Sequence, residues 1–169
     1  DTEQQKEQQK EQDTEQQKEQ ATEQATEQAT EQEKELLRRF EGFLDEPTKS
    51  AGFVRLSPDG EIWIHRKKKA VLVSGHVCLR RGQLEMFACP VRTKEHESVV
   101  AVHAKSQLVP AGLLAIGAKS GKPVQYQPEY KPATGAVIDV FVLWKDVDGT
   151  SHAVRAQDWI REWKTKQAM

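Results

Sequence analysis

The chain has little of what usually announces a function. Its 169 residues include two cysteines, Cys78 and Cys89, with ten residues between them instead of paired as Cys-x-x-Cys, so no standard zinc template is present. No apolar run approaches the roughly 20 residues needed to cross a bilayer. No leader of the signal-peptide kind opens the sequence, although one removed before Asp1 would leave the same chain. There is no Gly-x-Ser-x-Gly elbow. The nearest approach to a phosphate loop, Gly117-Ala118-Lys119-Ser120-Gly121-Lys122, lacks the two correctly spaced glycines and is expected to follow a helix C-terminus, whose dipole repels phosphate.

What is present divides into two materials. Residues 1–33 carry eleven acids against three bases, leaving fifteen acids against twenty-two bases on residues 34–169. The overall charge of -1 therefore hides an acidic tail and a basic body. The tail is eight consecutive tetrads ending in Glu-Gln, from Asp1-Thr2-Glu3-Gln4 to Ala29-Thr30-Glu31-Gln32. Apart from three alanines it has no apolar surface whose burial could offset the entropy of ordering it. A period of four advances about 40° per tetrad on a 3.6-residue helix, so the glutamates spiral and no fixed face results. Apolar residues at coiled-coil positions are missing. The expectation is a low-complexity tail over 1–33, disordered or a solvated helix, followed by an amphipathic linker helix over 34–51. There Leu36, Leu37, Phe40, Phe43 and Leu44 fall near helical spacing, Gly42 weakens the helix and Pro47 ends it.

Residues 52–169 read as an α+β domain, mostly antiparallel, with one buried helix. Strands are expected over Ile62–Ile64, Ala70–Leu79, Leu84–Cys89, Ser98–His103, Pro123–Tyr126, Ala136–Trp144 and Ser151–Ala156. A two-residue loop at Arg81-Gly82 would make a hairpin in which Cys78 faces Glu85, His76 faces Phe87 and Ser74 faces Cys89, gathering the aliphatic side chains on one side. That register puts the cysteines roughly 13 Å apart along the strand, beyond disulfide reach, and predicts two free thiols. The helix is expected over about 104–117, capped by Ser106, ended by Gly117 and apolar on most sides, so buried against the sheet.

Candidate chemistry is sparse. Asp146-Val147-Asp148-Gly149 has the opening of a calcium loop but lacks the third oxygen ligand and the later glutamate, so it reads as a turn. Arg66 to Lys69 and Arg80-Arg81 sit at opposite ends of one strand, roughly 33 Å apart, with no aromatic platform between. They read as solvated turns protecting hairpin ends, which argues against nucleic acid. The densest stretch is Cys89-Pro90-Val91-Arg92-Thr93-Lys94-Glu95-His96-Glu97-Ser98. Its Lys94, Glu95, His96 and Glu97 are candidate binding residues. Cys78, Cys89 and His96 are candidate metal ligands, or a thiol–imidazole pair, at spacings that match no template.

Several ordered segments resemble the bacterial YdjY-domain family: Gly75-His76-Val77-Cys78-Leu79-Arg80, Thr93-Lys94-Glu95-His96-Glu97-Ser98, Ala111-Gly112-Leu113-Leu114-Ala115-Ile116-Gly117-Ala118 with Gly121-Lys122-Pro123-Val124, and Arg155-Ala156-Gln157-Asp158-Trp159-Ile160. The resemblance covers roughly residues 60–169. It implies an exported, cell-envelope setting and no established reaction. Two departures stand out: family members carry a histidine where this chain has Pro110, and they continue past the Trp-Ile-Arg segment, so the domain is expected to be truncated at its C-terminus.

With no complete catalytic constellation, the expectation is a non-enzymatic binding module that takes an unknown protein or small ligand through the Thr93–Ser98 region. No cofactor is predicted. The alternatives are a metal-binding or redox protein using Cys78, Cys89 and His96, and weak anion or nucleic-acid binding by the basic body.

Overall fold

The computed structural model describes residues 2–45 and 51–165, with side chains from residue 16 onward. It has an α+β architecture of small, mostly antiparallel sheets. The chain divides into two compact units, residues 1–41 with 141–155 and residues 42–140 with 156–169.

The first unit holds helix α1 (Thr2–Arg39) and the hairpin of β7 (Phe141–Lys145) and β8 (Ser151–Arg155). Over residues 16–32 its repeats are solvated on every side, as the spiralling glutamates require. Only near the helix end, at Glu33, Leu36, Leu37 and Phe40, does burial begin. There α1 packs against β8, and the Phe40 and Phe141 rings meet at 4.9 Å. Asp146 to Gly149 forms the expected turn. Gly149 N–H donates to Asp146 O at 2.9 Å, and Gly149 adopts a φ of 89°, open to glycine at little cost.

The second unit has two three-stranded sheets. In one, β1 (Phe53–Arg55), β2 (Ile62–His65) and β3 (Ala70–Val73) run antiparallel, and the basic run Arg66–Lys69 is the exposed turn of the β2–β3 hairpin. β2 is buried along its whole length. His65 within it is a satisfied core histidine: its Nδ1 accepts the Lys68 N–H at 3.2 Å, and Phe43 and Phe53 pack on its ring. Pro47 and its neighbours, the expected end of the linker helix, lie outside the described residues.

The other sheet corrects the expected hairpin. β4 (Gly75–Val77) and β5 (Met86–Pro90) do not pair; β6 (Ser98–Val102) lies between them, antiparallel to β4 and parallel to β5. His76 and Cys89 both face Ala101, on opposite sides of β6. The aliphatic pattern that suggested direct pairing is equally satisfied by a third strand inserted between, because alternation specifies a face and not a neighbour. A parallel neighbour ordinarily needs a crossover of a dozen residues or more. Here Val91–Glu97 suffices, since the return spans about 13 Å and seven extended residues reach about 24 Å. At Gly75 a Cβ would stand 2.5 Å from Ala101 O, so the close approach of β4 and β6 demands glycine.

Three further expectations change. Helix α2 is shorter than expected, Leu108–Ala115, with no side-chain cap from Gln107 and only Gly112 fully buried. Leu114 is 57% exposed, so the helix is half-buried on β2 and β3 instead of surrounded. A Cβ at Gly112 would stand 3.2 Å from Val71, which shows how closely it packs. Pro110 is exposed in its first turn, where its missing N–H costs nothing. The strand expected over 136–144 begins only at Phe141; Val137 is 95% exposed, because hydrophobicity without a partner strand makes no ladder. Pro123–Tyr126 contributes a single bridge, Gln125 to Lys131.

Candidate functional site

The segment joining β5 to β6 is locked by its own polar groups. Arg92 takes a left-handed φ of 63°, uncommon for a residue with a side chain, and its N–H donates to Glu95 Oε1 at 2.7 Å. Thr93 Oγ1 donates to Pro90 O at 2.5 Å. A 3₁₀ turn, Glu95–Glu97, follows. Ser98, fully buried, donates from Oγ to Lys94 O at 2.7 Å. Lys94 bridges two carboxylates, hydrogen-bonding Glu97 and standing 3.4 Å from Glu85 Oε2. The Lys94 hydrogen bond holds the Glu97 carboxyl below its usual range, and the Glu97 bond raises the Lys94 ammonium.

Of the four binding residues expected from sequence, Lys94, Glu95 and Glu97 therefore hold the loop, while His96 is displayed. Its side chain is 76% exposed, with Nε2 3.8 Å from Glu97. Arg92, four positions earlier and exposed, forms no ion pair among the described residues.

The proposed thiol site is dispersed. Cys89 is buried at 2% exposure, whereas His96 faces solvent. Cys78 donates from Sγ to Ser98 O at 3.1 Å, and burial pushes its thiol pKa up, with Cys89 adding to the effect. Both thiols are free. The expectation of free thiols thus holds, although the register that led to it does not. A raised pKa is the opposite of nucleophile activation. Among the described residues no group of three or more His, Cys, Asp or Glu side chains is placed to hold a metal ion. The basic clusters partly pack on rings, with Arg81 5.7 Å over Trp163 and Lys68 4.9 Å over Phe43.

A second polar cluster escaped the sequence reading because no local motif joins its members. Glu61 precedes β2, Ser74 lies between β3 and β4, His76 is on β4 and His103 follows β6. Their backbones close a ring of hydrogen bonds: Glu61 N–H to His103 O at 2.8 Å, His103 N–H to Ser74 O at 2.9 Å, and Ser74 N–H to Glu61 O at 3.0 Å. Above it, Glu61 Oε2 receives the Ser74 hydroxyl and stands 3.0 Å from His103 Nδ1. His103 Nε2 is 3.3 Å from His76 Nδ1. The Ser74 and His103 hydrogen bonds hold the Glu61 carboxyl below its usual range. The one usable signal in the sequence was two histidines at strand ends beside polar residues, too common a pattern to single out.

No helix among the described residues is long and apolar enough to cross a membrane. No curated protein and no solved structure matches the chain. A family model described as the YdjY domain matches residues 62–169, taking in β2 through α3 (Ala156–Trp159), the locked loop and most of the second cluster, and on that match over more than half its length the chain belongs to the YdjY-domain family.

Proposed function

We propose that this protein is a non-enzymatic binding module of the bacterial cell envelope. It engages an acidic group on a protein or small ligand through the Arg92–Ser98 loop. The observation that carries this reading is the division of labour inside the loop: Lys94, Glu95, Glu97 and Ser98 are consumed in hydrogen bonds that hold the loop, while His96 and the left-handed Arg92 both stay exposed. Strained, locked backbone around the displayed Arg92 guanidinium and the exposed His96 imidazole supports recognition, because little entropy is lost when the loop binds. The envelope setting rests on the family resemblance.

The test is site-specific photo-crosslinking in cells, with the crosslinker placed at position 96 and, as control, at position 67 on the β2–β3 turn. A discrete adduct from position 96 alone, lost in Arg92→Ala, is expected. Equal or absent adducts from both positions would remove the reading. Fractionation of the same cells tests the compartment, and recovery only in the cytosol would remove that part.

A further inference from the structure

The second cluster has the features of a metal site that depends on none of the loop residues. We propose that His76 Nδ1 and His103 Nε2 together bind one divalent first-row transition ion, zinc or copper, with solvent completing the coordination.

Three observations converge. The two ring nitrogens are 3.3 Å apart. Metal–nitrogen bonds of about 2.0–2.1 Å at tetrahedral angles place two ligand nitrogens about 3.3–3.4 Å apart, so the separation matches that edge. It lies beyond the roughly 2.9–3.0 Å at which N–H donor bonds are commonest. The rings are tilted 41°, with centroids at 5.4 Å, so stacking does not account for their approach.

Second, His103 is oriented as a ligand. Its Nδ1–H donates to Glu61 Oε2, which leaves Nε2 as a lone pair. A carboxylate behind a histidine in this way fixes the tautomer and raises the basicity of the ligating nitrogen. Glu61 is itself held in place by the Ser74 hydroxyl, which donates to the same carboxylate oxygen. Third, the ring of backbone hydrogen bonds through Glu61, Ser74 and His103 makes the support rigid before any ion arrives. The strand carrying His76 is exposed, giving an ion direct access.

Two imidazoles favour borderline ions over magnesium or calcium, which take oxygen ligands. With two protein ligands, affinity in the micromolar range is expected, and copper should exceed zinc.

The test is calorimetric titration of the full chain with zinc chloride, copper chloride and magnesium chloride at pH 7.5 in a non-coordinating buffer. One equivalent of zinc or copper and no magnesium is expected. His76→Ala, at an exposed position, should keep the wild-type circular dichroism and lose at least tenfold in affinity. His103→Ala should do the same, and Glu61→Gln should weaken binding about 10- to 100-fold. His152→Gln should leave it unchanged. The copper complex should show nitrogen hyperfine structure in its electron paramagnetic resonance spectrum, altered in His76→Ala. No binding of either ion at millimolar concentration, or stoichiometric binding that survives His76→Ala, would overturn the proposal.

Discussion

His152 on β8 stands with Nδ1 2.9 Å from Glu33 Oε1 on α1, a contact between residues 119 positions apart. Its other nitrogen, Nε2, is 2.9 Å from Asp146 Oδ2, and Trp144 stacks on the ring at 4.9 Å. A neutral imidazole has one N–H and satisfies one carboxylate; the imidazolium satisfies both. The hydrogen bond that His152 donates to Glu33 raises the His152 pKa above its usual value, with Asp146 contributing in the same direction. Ala153 N–H also reaches Glu33, at 3.3 Å, so one carboxylate ties the end of the long helix to the hairpin.

The sign of the resulting pH dependence follows from that raised value. A folded-state pKa above the unfolded one contributes stability that is complete below about 6.5 and is lost as pH rises through the folded value. Melting temperature of the wild type relative to His152→Gln should therefore be highest at pH below about 6 and diminish as pH rises. Glu33→Gln should flatten the same profile. A difference that grew with pH would contradict the assigned contact.

Ile62, with no exposed surface, anchors the fully buried β2. Ile62→Ala should lower the unfolding free energy by about 2–5 kcal/mol, read from urea denaturation. Val137→Ala, at a side chain 95% exposed, should change it by less than about 0.5 kcal/mol.

Gly75→Ala would place a methyl 2.5 Å from Ala101 O, against backbone that cannot rotate away. The β4–β6 pairing should lose about 1–3 kcal/mol. Exchange of the Cys78 amide, which donates to Val99 O at 2.9 Å, should accelerate in step. Unchanged stability would mean that β4 does not lie against β6.

Ser98→Ala removes the buried hydroxyl that holds Lys94 O and should cost about 0.5–1.5 kcal/mol. Because the same bond braces the proposed binding loop, crosslinking from position 96 should fall in this variant even at temperatures where the protein stays folded.

The thiols offer a rapid check on the sheet. Cys89 is buried and the Cys78 thiol is pushed up by burial, so a thiol reagent at pH 7.5 should titrate neither quickly in the native protein and both after denaturation. Fast native labelling of Cys89 would place it on a surface and undo the β5 assignment.

Local patterns in this chain determined what composition and short-range sterics can decide. The exposure of the repeats over residues 16–32 follows from their lack of apolar surface, the Asp146–Gly149 turn from its own residues, and the positions of most strands from alternation. The β2–β3 turn was likewise legible in its run of four bases. Tertiary structure decided what depends on partners distant in sequence. Alternation in β4 and β5 could not say that β6 would stand between them, since period two defines faces and leaves neighbours open. Residues 136–140 are apolar enough for a strand and have no ladder to join. The Glu61–His103–His76 cluster exists only because three backbone segments, up to 42 residues apart, close a single hydrogen-bonded ring. No periodicity encodes such a closure, because its energy comes from groups that meet only after the sheets have formed.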